Sequence, residues 1–317
     1  MTDEFSRLRE VLNARPTPKQ PLTSPGQLSK WVLAARKELN QTADVQIDEG
    51  RLGWLVASAV VVSVLQRART TEEEALFLLK GGSYLQYRLG LGTRATTDVD
   101  GLVRGDIDDF LEGVDALLRE PWGGLALSRT EFEFINVPGK VNKPRRFNVK
   151  LQVRGASWRS IQVEVSPDEA GAGEEHDNLL GLPLHGFGLP DADQLFGIAI
   201  RYQIAQKLHA VTDPHDPPDF INERARDLVD LVLLRRTVEG EGLLSRATIR
   251  DACVRVFEAR AAEAIAANRL PRAWPPTVVG HPSWRSDYRS AADRTSVSHS
   301  FDEALAVINE WIRDLEG

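Results

Sequence analysis

Cysteine is nearly absent from this sequence, since Cys253 is the single one among 317 residues. A lone cysteine excludes a disulfide within the chain. The first residues also lack the basic stretch, apolar core and cleavage site of a secretory leader. These absences predict a cytoplasmic protein.

Long apolar runs and an excess of positive charge are missing too. The most apolar segment, residues 52–65, contains Ser58 and Ser63 and is shorter than the roughly 20 residues that span a bilayer. It predicts a buried helix and no contact with a membrane. A formal net charge of −7 argues against a general nucleic-acid coat, which would carry a basic excess. Any contact with RNA must therefore be local.

The composition, with 42% hydrophobic and 27% charged residues, is ordinary for a globular protein with one large or two modest cores. We expect a helical region at residues 1–75, a catalytic core at 76–190 and a C-terminal helical domain at 191–317. Periodicity and capping signals predict helices at residues 5–13, 25–39, 49–69, from 71 onward and 106–119, and strands at 125–134, 146–154 and 160–166. Residues 167–190, rich in Gly, Pro, Asp and Glu, predict a long loop.

The first informative stretch is Phe77-Leu-Leu-Lys-Gly-Gly-Ser83. Its apolar residues predict the end of a helix, which Gly81 and Gly82 would terminate in a tight bend. Bare N–H groups in such a bend can receive a phosphate, and Ser83 adds a hydroxyl. The stretch therefore predicts nucleotide contacts at Gly82 and Ser83.

Two aspartates follow, Asp98 and Asp100, two positions apart. On a strand both carboxylates leave the same face, with their Cα atoms roughly 6.6 Å apart. This arrangement suits Mg²⁺, or Mn²⁺ in its place, with substrate phosphates filling the other positions. A lone Asp-x-Asp more often decorates an exposed strand, but the upstream Gly-Gly-Ser favours the metal site. Together the two motifs resemble the opening of the DNA polymerase β-type nucleotidyltransferase fold.

A third carboxylate lies on a later predicted strand. Ile161, Val163 and Val165 share one face of that strand, so Glu164 emerges from the other. Beside Asp98 and Asp100 it would complete a set of three metal ligands. The alternative is a solvated glutamate on an outer face.

The densest basic cluster of the core comprises Lys140, Lys143, Arg145 and Arg146. Such a cluster in a turn rich in Pro and Gly is most often a solvated hairpin tip. In an acidic chain it is still the best candidate for contacting an RNA backbone, through Lys143, Arg145 and Arg146 in particular.

Two later helices bring a lysine and two aspartates onto apolar faces. Lys207 lies on the shoulder of a stripe of apolar residues, where it can clamp a triphosphate or extend along apolar surface to water. Asp227 and Asp230 share a face with leucines and need a cationic partner, for which Lys207 is a candidate. From the residues alone, they are explained by a buried ion pair that fixes the packing of the helices.

The combined motifs resemble the AbiEii/AbiGii toxin family of nucleotidyltransferases, which includes the MenT toxins. The resemblance rests on Leu-Leu-Lys-Gly-Gly-Ser with Asp98-x-Asp100, on Gln206-Lys207-Leu208-His209-Ala210, and on Arg226-Asp227-x-x-Asp230-Leu231. It extends from about residue 50 to the C-terminus. Many members have Glu where this chain has Gln206, and the segment between Lys207 and Asp227 is long and rich in proline.

The resemblance implies an α+β protein with the polymerase β-type fold, a mixed twisted sheet flanked by helices. It implies a toxin, paired with a cognate antitoxin, that transfers nucleotides from an NTP to the 3′ end of tRNA and so blocks aminoacylation. Asp98 and Asp100 would hold the metal, Ser83 and Lys207 the phosphates, and either Asp227 or Asp230 would be the late acidic catalytic residue.

Two other functions are compatible with these residues. The enzyme could modify a protein or a small molecule instead of RNA, or the chain could be a non-catalytic binding protein that has kept the fold. Retention of both metal aspartates and of the lysine disfavours the second alternative.

Overall fold

The computed structural model describes residues 4–42, 45–135, 143–218, 221–242 and 244–317. The helices in these residues are α1 (Glu4–Ala14), α2 (Pro25–Thr42), α3 (Glu49–Leu65), α4 (Gly81–Leu89), α5 (Ile107–Arg119), α6 (Ile200–Val211), α7 (Ala225–Glu241), α8 (Arg246–Ala266), α9 (Trp284–Ala292) and α10 (Phe301–Glu316). The strands are β1 (Phe77–Lys80), β2 (Asp98–Val103), β3 (Ala126–Arg129), β4 (Glu133–Phe134), β5 (Arg145–Val153), β6 (Ala156–Pro167), β7 (His176–Leu182) and β8 (Ala192–Ile198). The fold is therefore α+β, as the sequence predicted.

The strands form one mixed sheet in the order β3-β5-β6-β2-β1-β8-β7, with β4 paired to β5. The pairs β2–β6 and β1–β8 are parallel and the others antiparallel. Helices α3 and α5 contact β6 and each other, while α4 contacts β1, β2 and β7. The centre of the sheet is thus covered by helices, and β2, which carries Asp98 and Asp100, lies within it.

Helix α3 is the apolar segment that the composition singled out. Asp48 caps its first turn by accepting a hydrogen bond from the Arg51 N–H at 2.8 Å. Almost every residue from Leu52 to Leu65 is buried, so the expected buried helix is confirmed. No helix in the described part of the chain has the length and apolar character needed to cross a membrane.

The C-terminal helices pack on one another and on the core. Helix α6 contacts α7 and α8, α7 contacts α9 and α10, and α8 contacts α10. Their apolar residues join those of the sheet and of the N-terminal helices in one continuous hydrophobic cluster. Because the cluster is continuous, the division of the chain into three domains stays a prediction.

The predicted helix end before the Gly-Gly-Ser bend is wrong. Residues Phe77–Lys80 form strand β1, and Gly81 begins helix α4 instead of ending a helix. Three buried apolar residues followed by a lysine are too few to show a periodicity that separates strand from helix. The bend is therefore a strand-to-helix turn, which points the first N–H groups of α4 outward.

The helix expected from Thr71 is also wrong, because residues 71–75 form turns. The hydroxyl of Thr70 accepts hydrogen bonds from the N–H groups of Glu72 and Glu74, and Glu73 has a φ of 63°. Local hydrogen bonds from threonine compete with helix formation. The apparent capping box therefore belongs to a turn that leads into β1.

Residues 167–190 are not one long loop, and helix does not resume at residue 191. Strand β7 lies within the expected loop, β8 follows it, and the helical part begins at Ile200. Strand β7 is at the edge of the sheet, and its apolar residues do not alternate along the sequence, because Leu180 is apolar but 56% exposed while its neighbour Leu179 is buried. An edge strand with few buried residues gives little period-two signal.

Candidate active site

The turn between β1 and α4 lies directly against Asp100. Gly81 has a φ of +61°, and a Cβ there would collide with Oδ2 of Asp100, so only glycine fits. Its N–H donates to Oε1 of Gln203 on α6 at 3.1 Å. The glycine therefore lets the turn pass close to a carboxylate, and Gln203 fixes it there.

Ser83 holds this turn in place through hydrogen bonds. Its side chain is fully buried, donates to the Lys80 carbonyl at 2.9 Å and accepts the N–H of Asp100 at 3.2 Å. The hydroxyl predicted to contact nucleotide phosphates thus ties the turn to β2. Gly81 and Gly82, at the start of α4, both line the cleft described below.

Asp98 and Asp100 lie two positions apart on β2, so their side chains leave the same face, as the sequence predicted. Asp98 accepts a hydrogen bond from the Thr97 hydroxyl at 3.1 Å. Among the described residues, none donates a hydrogen bond to the Asp100 carboxylate. Burial raises the pKa of Asp100 to about 6, the positive charge of Lys80 opposes this rise, and the negative charges of Glu164 and Asp98 add to it. The carboxylate is thus poised for a cation.

Glu164 lies on the neighbouring parallel strand. The register of β2 and β6 pairs Asp100 with Glu164 and Asp98 with Gln162, so the three predicted carboxylates share one face. Oε1 of Glu164, however, is held by Nε of Arg146 at 2.8 Å. Within the described residues, no three His, Cys, Asp or Glu side chains converge closely enough to form a ready-made metal site. The third carboxylate is adjacent to the other two but turned to an arginine.

Lys207 is buried and bridges both late aspartates. Its Nζ donates to Oδ1 of Asp227 at 2.6 Å and to Oδ2 of Asp230 at 2.8 Å. Burial opposes the charge on Lys207, but the two aspartates outweigh it and raise the pKa above its ordinary value. Burial likewise disfavours the charged form of Asp227. The positive charges of Lys207 and Arg224 outweigh this effect and lower the pKa of Asp227 below its ordinary value. Lys207 and Asp227 thus stabilise each other's charged form.

Asp230 has a second cation that the sequence did not reveal. Arg94, in the loop before β2, donates to its carboxylate through Nε at 3.2 Å and Nη2 at 3.0 Å. Asp230 has no solvent exposure, whereas Asp227 faces the cleft. The only available signal was that two aspartates on a leucine face need more positive charge than Lys207 supplies.

A cleft of about 720 Å³ joins these groups. From the sheet and the first turn it is lined by Lys80, Gly81, Gly82, Arg94, Asp100, Glu164 and Ser166; from the helices by Gln203, Gln206, Lys207, His209, Asp227 and Arg260; and from the connecting segments by Glu169, Asp213, Arg224, Arg269, Leu270 and Arg272. Asp100 and Glu164, the glycine turn and Lys207 of the predicted site therefore open into one space, whereas Asp98 is not among the residues that line it.

The far end of the cleft is built on His209. Arg260 and Arg272 each donate to Nδ1 of His209 at 2.9 Å, which requires this nitrogen to carry no proton. Glu169 pairs with Arg260 and Asp213 with Arg272. The two arginines at this wall of the cleft are thus each neutralised by a carboxylate.

The predicted RNA-binding arginines point to opposite faces of the sheet. Arg145 is 8% exposed, pairs with Asp108 at 2.9 Å and lies 3.8 Å from the ring centre of Phe134. Arg146 lies on the other face with Glu164. Lys140 falls outside the described residues, and the carbonyl of Lys143 accepts a hydrogen bond from Arg145.

Residues 63–307 match a protein-family model described as the nucleotidyl transferase AbiEii toxin of a type IV toxin–antitoxin system. The chain belongs to this family. It is therefore a nucleotidyltransferase toxin, and its family implies an antitoxin as partner. The match confirms the resemblance to the AbiEii toxins that the sequence motifs of this chain indicated.

Among solved structures, the chain is similar to the nucleotidyltransferase toxin MenT4 of Mycobacterium tuberculosis. The two share 16% sequence identity with a TM-score of 0.47, over 93% of this chain and 97% of MenT4. No curated protein sequence matches the chain. The roles of individual residues in this AbiEii toxin must therefore come from its own geometry.

Proposed function

We propose that this toxin transfers nucleotides from an NTP to the 3′ end of tRNA in the cytoplasm, which blocks aminoacylation and hence translation. The supporting observation is that Asp100 of β2, the glycine turn and Lys207 open into one cleft. In the reaction the terminal 3′ hydroxyl attacks the α-phosphate, the bond between the α- and β-phosphates breaks, and pyrophosphate leaves.

The residues present suit a divalent cation. Asp98 and Asp100 offer hard carboxylate oxygens on one strand face, and Asp100 receives no hydrogen bond from the described residues that would compete. We propose that Asp98 and Asp100 hold Mg²⁺, or Mn²⁺ in its place, with Glu164 as a third ligand. The ion would stabilise negative charge that develops on the phosphates.

The turn after β1 is the proposed phosphate site. The first N–H groups of a helix lack partners within the helix, and the helix dipole favours an anion there; at α4 the N–H of Gly81 is already held by Gln203, so the site would use the N–H groups that follow it. Gly82 lets the backbone approach, while Ser83 and Gln203 hold the turn in position. These contacts would orient the triphosphate, and Lys80, which precedes the turn, also lines the cleft at this end.

Lys207 and Asp227 form the opposite wall. Lys207 contributes a positive charge at the cleft, and Asp227 keeps it protonated and oriented through a 2.6 Å contact. We propose Asp227 as the late catalytic acid and Asp230 as the buried anchor, since Asp227 alone of the two lines the cleft.

The RNA acceptor must use local positive charge, because the whole chain carries a net charge of −7. Arg224 and Arg269 line the cleft, and both are exposed, Arg224 with 58% of its side chain in solvent. We propose that they contact the acceptor backbone together with Lys143 of the basic turn. Such contacts make RNA binding sensitive to salt: the slope of log K against log salt concentration steepens by about 0.7–0.9 for each phosphate that is neutralised.

The decisive experiment incubates the purified protein with Mg²⁺, each labelled NTP in turn, and total tRNA. We expect label on the 3′ end of tRNA, removed by RNase and not by protease. Label that only protease removes, or that appears on a small molecule, would contradict the tRNA proposal while leaving the nucleotidyltransferase intact. No transfer to any component of a cell extract would contradict the proposal as a whole.

A further inference from the structure

A row of three charged residues crosses the sheet at the metal site. Arg146 on β5 is paired in register with Glu164 on β6, and Glu164 with Asp100 on β2. Side chains at paired positions of neighbouring strands leave the same face. The guanidinium, the third carboxylate and the buried aspartate are therefore neighbours at the wall of the cleft.

The hydrogen bonds to Glu164 all converge on one of its oxygens. Oε1 accepts Nε of Arg146 at 2.8 Å and Nε2 of Gln162 at 3.2 Å, and Nη2 of Arg146 lies 2.7 Å away. Oε2 receives no hydrogen bond from the part of the chain that the structure describes. The side chains of the pair are 40% and 27% exposed, so solvent and ligands can reach them.

The ion pair with Arg146 leaves the metal site incomplete. The three carboxylates share a face, yet no set of three converges among the described residues. A guanidinium and a divalent cation both need the negative charge of the carboxylate and repel each other at short range. Arg146 is thus a competitor for the ligand that the metal site lacks.

We propose that Glu164 is exchanged between Arg146 and the divalent cation. The inference rests on the proposed function, since it takes Asp98 and Asp100 as metal ligands. In the metal-free state Arg146 holds Glu164; when the cation binds, Glu164 moves to it and the guanidinium is released at the wall of the cleft. There it is placed to pair with a phosphate of the acceptor, which would couple metal loading to RNA binding.

The test measures Mn²⁺ affinity of the full chain without nucleotide, by electron paramagnetic resonance of free Mn²⁺. Arg146→Met should bind Mn²⁺ about fivefold more tightly, because a half-exposed ion pair worth about 1 kcal/mol no longer competes. Arg145→Met is the matched control. It removes the same charge one residue away, on the opposite face, and should leave the affinity within about twofold.

Two further variants show whether the effect passes through Glu164. Glu164→Gln should weaken Mn²⁺ binding, and adding Arg146→Met to it should then change nothing more. Unchanged or weaker binding by Arg146→Met alone would overturn the exchange. An equal gain in the Glu164→Gln background would overturn it too, because the arginine would then act only through its general field.

Failure of the proposed function would look different. A wild-type protein that binds no Mn²⁺, or an Asp100→Asn variant that binds it as tightly as wild type, would reject the metal site itself. Circular dichroism of each variant confirms that the fold is retained.

Discussion

Replacing Asp100 by asparagine should stabilise the metal-free protein while abolishing nucleotide transfer. The folded state raises the pKa of Asp100 from 3.8 to about 6, so ionising this carboxylate costs free energy in the fold. About 2 pKa units correspond to about 3 kcal/mol at neutral pH. Because the side chain retains some contact with the cleft, we expect a gain of about 1–3 kcal/mol for the uncharged variant.

The difference in the free energy of unfolding between wild type and Asp100→Asn should depend on pH. A carboxyl group with a raised pKa favours folding when protonated, and this contribution is lost as the pH rises from about 4 through 6. The free energy of unfolding should therefore be equal for wild type and Asp100→Asn at pH 3.5 or below, and should diverge up to pH 7. Urea denaturation in EDTA at each pH measures the difference.

Metal should reverse the ranking. Mn²⁺ at about 100 times its dissociation constant adds about 2.7 kcal/mol to a protein that binds it only when folded, and the asparagine variant should gain little. Asp98→Asn is the control, since Asp98 is held by its neighbour Thr97, and we expect its stability in EDTA to stay within about 0.5 kcal/mol of wild type. A variant at position 100 that is no more stable than wild type at pH 7 would refute the reasoning.

Three further predictions concern the helical wall and the acceptor. Asp230→Asn should lower the free energy of unfolding by about 3–5 kcal/mol, because it leaves Lys207 underpaired in the interior, whereas Asp227→Asn should lose transfer with a smaller loss of stability; equal effects would contradict the assigned roles. Gln203→Leu should weaken binding of a non-hydrolysable NTP about tenfold by releasing the glycine turn, and isothermal titration measures this loss; undiminished binding would show that the turn needs no brace. Arg269→Glu should weaken tRNA binding and reduce its salt slope by about 1 without changing NTP affinity, and unaltered filter binding of tRNA would place the acceptor elsewhere.

The carboxylate face was predictable from the sequence because it depends on a short-range rule. Asp98 and Asp100 lie two residues apart, and any strand sends such positions to one face. Glu164 followed from the same alternation on β6, with Ile161 and Val163 buried behind it. The family was recognisable for a similar reason, since its motifs are short and their order along the chain is fixed.

The errors came from segments in which local signals are weak or shared by several structures. The run before Gly81 is too short to show a period, and the edge strand β7 buries too few side chains to alternate. The cluster at Arg145 and Arg146 read as one basic surface only because sequence spacing ignores the strand: adjacent residues on β5 point to opposite faces. Their partners, Asp108 and Glu164, could not be found without the register. For the same reason a double charge reversal there would disrupt two ion pairs at once, so Lys143→Glu is the cleaner test of the basic turn.

The contact between Arg94 and Asp230 lies beyond any sequence rule, because 136 positions separate the two residues. Arg94 belongs to the loop that leads into β2, and Asp230 to α7 in the helical part. Asp230 also accepts a hydrogen bond from Lys207. The ion pair between Arg94 and Asp230 therefore links the loop before β2 to the helices that carry the lysine. A buried charge needs its partners to be satisfied, so the helices can close on the sheet in only one position. The ion pair between Arg94 and Asp230 therefore helps to set the width of the cleft, and with it the placement of a triphosphate between Asp100 and Lys207, while its arginine itself lines the cleft.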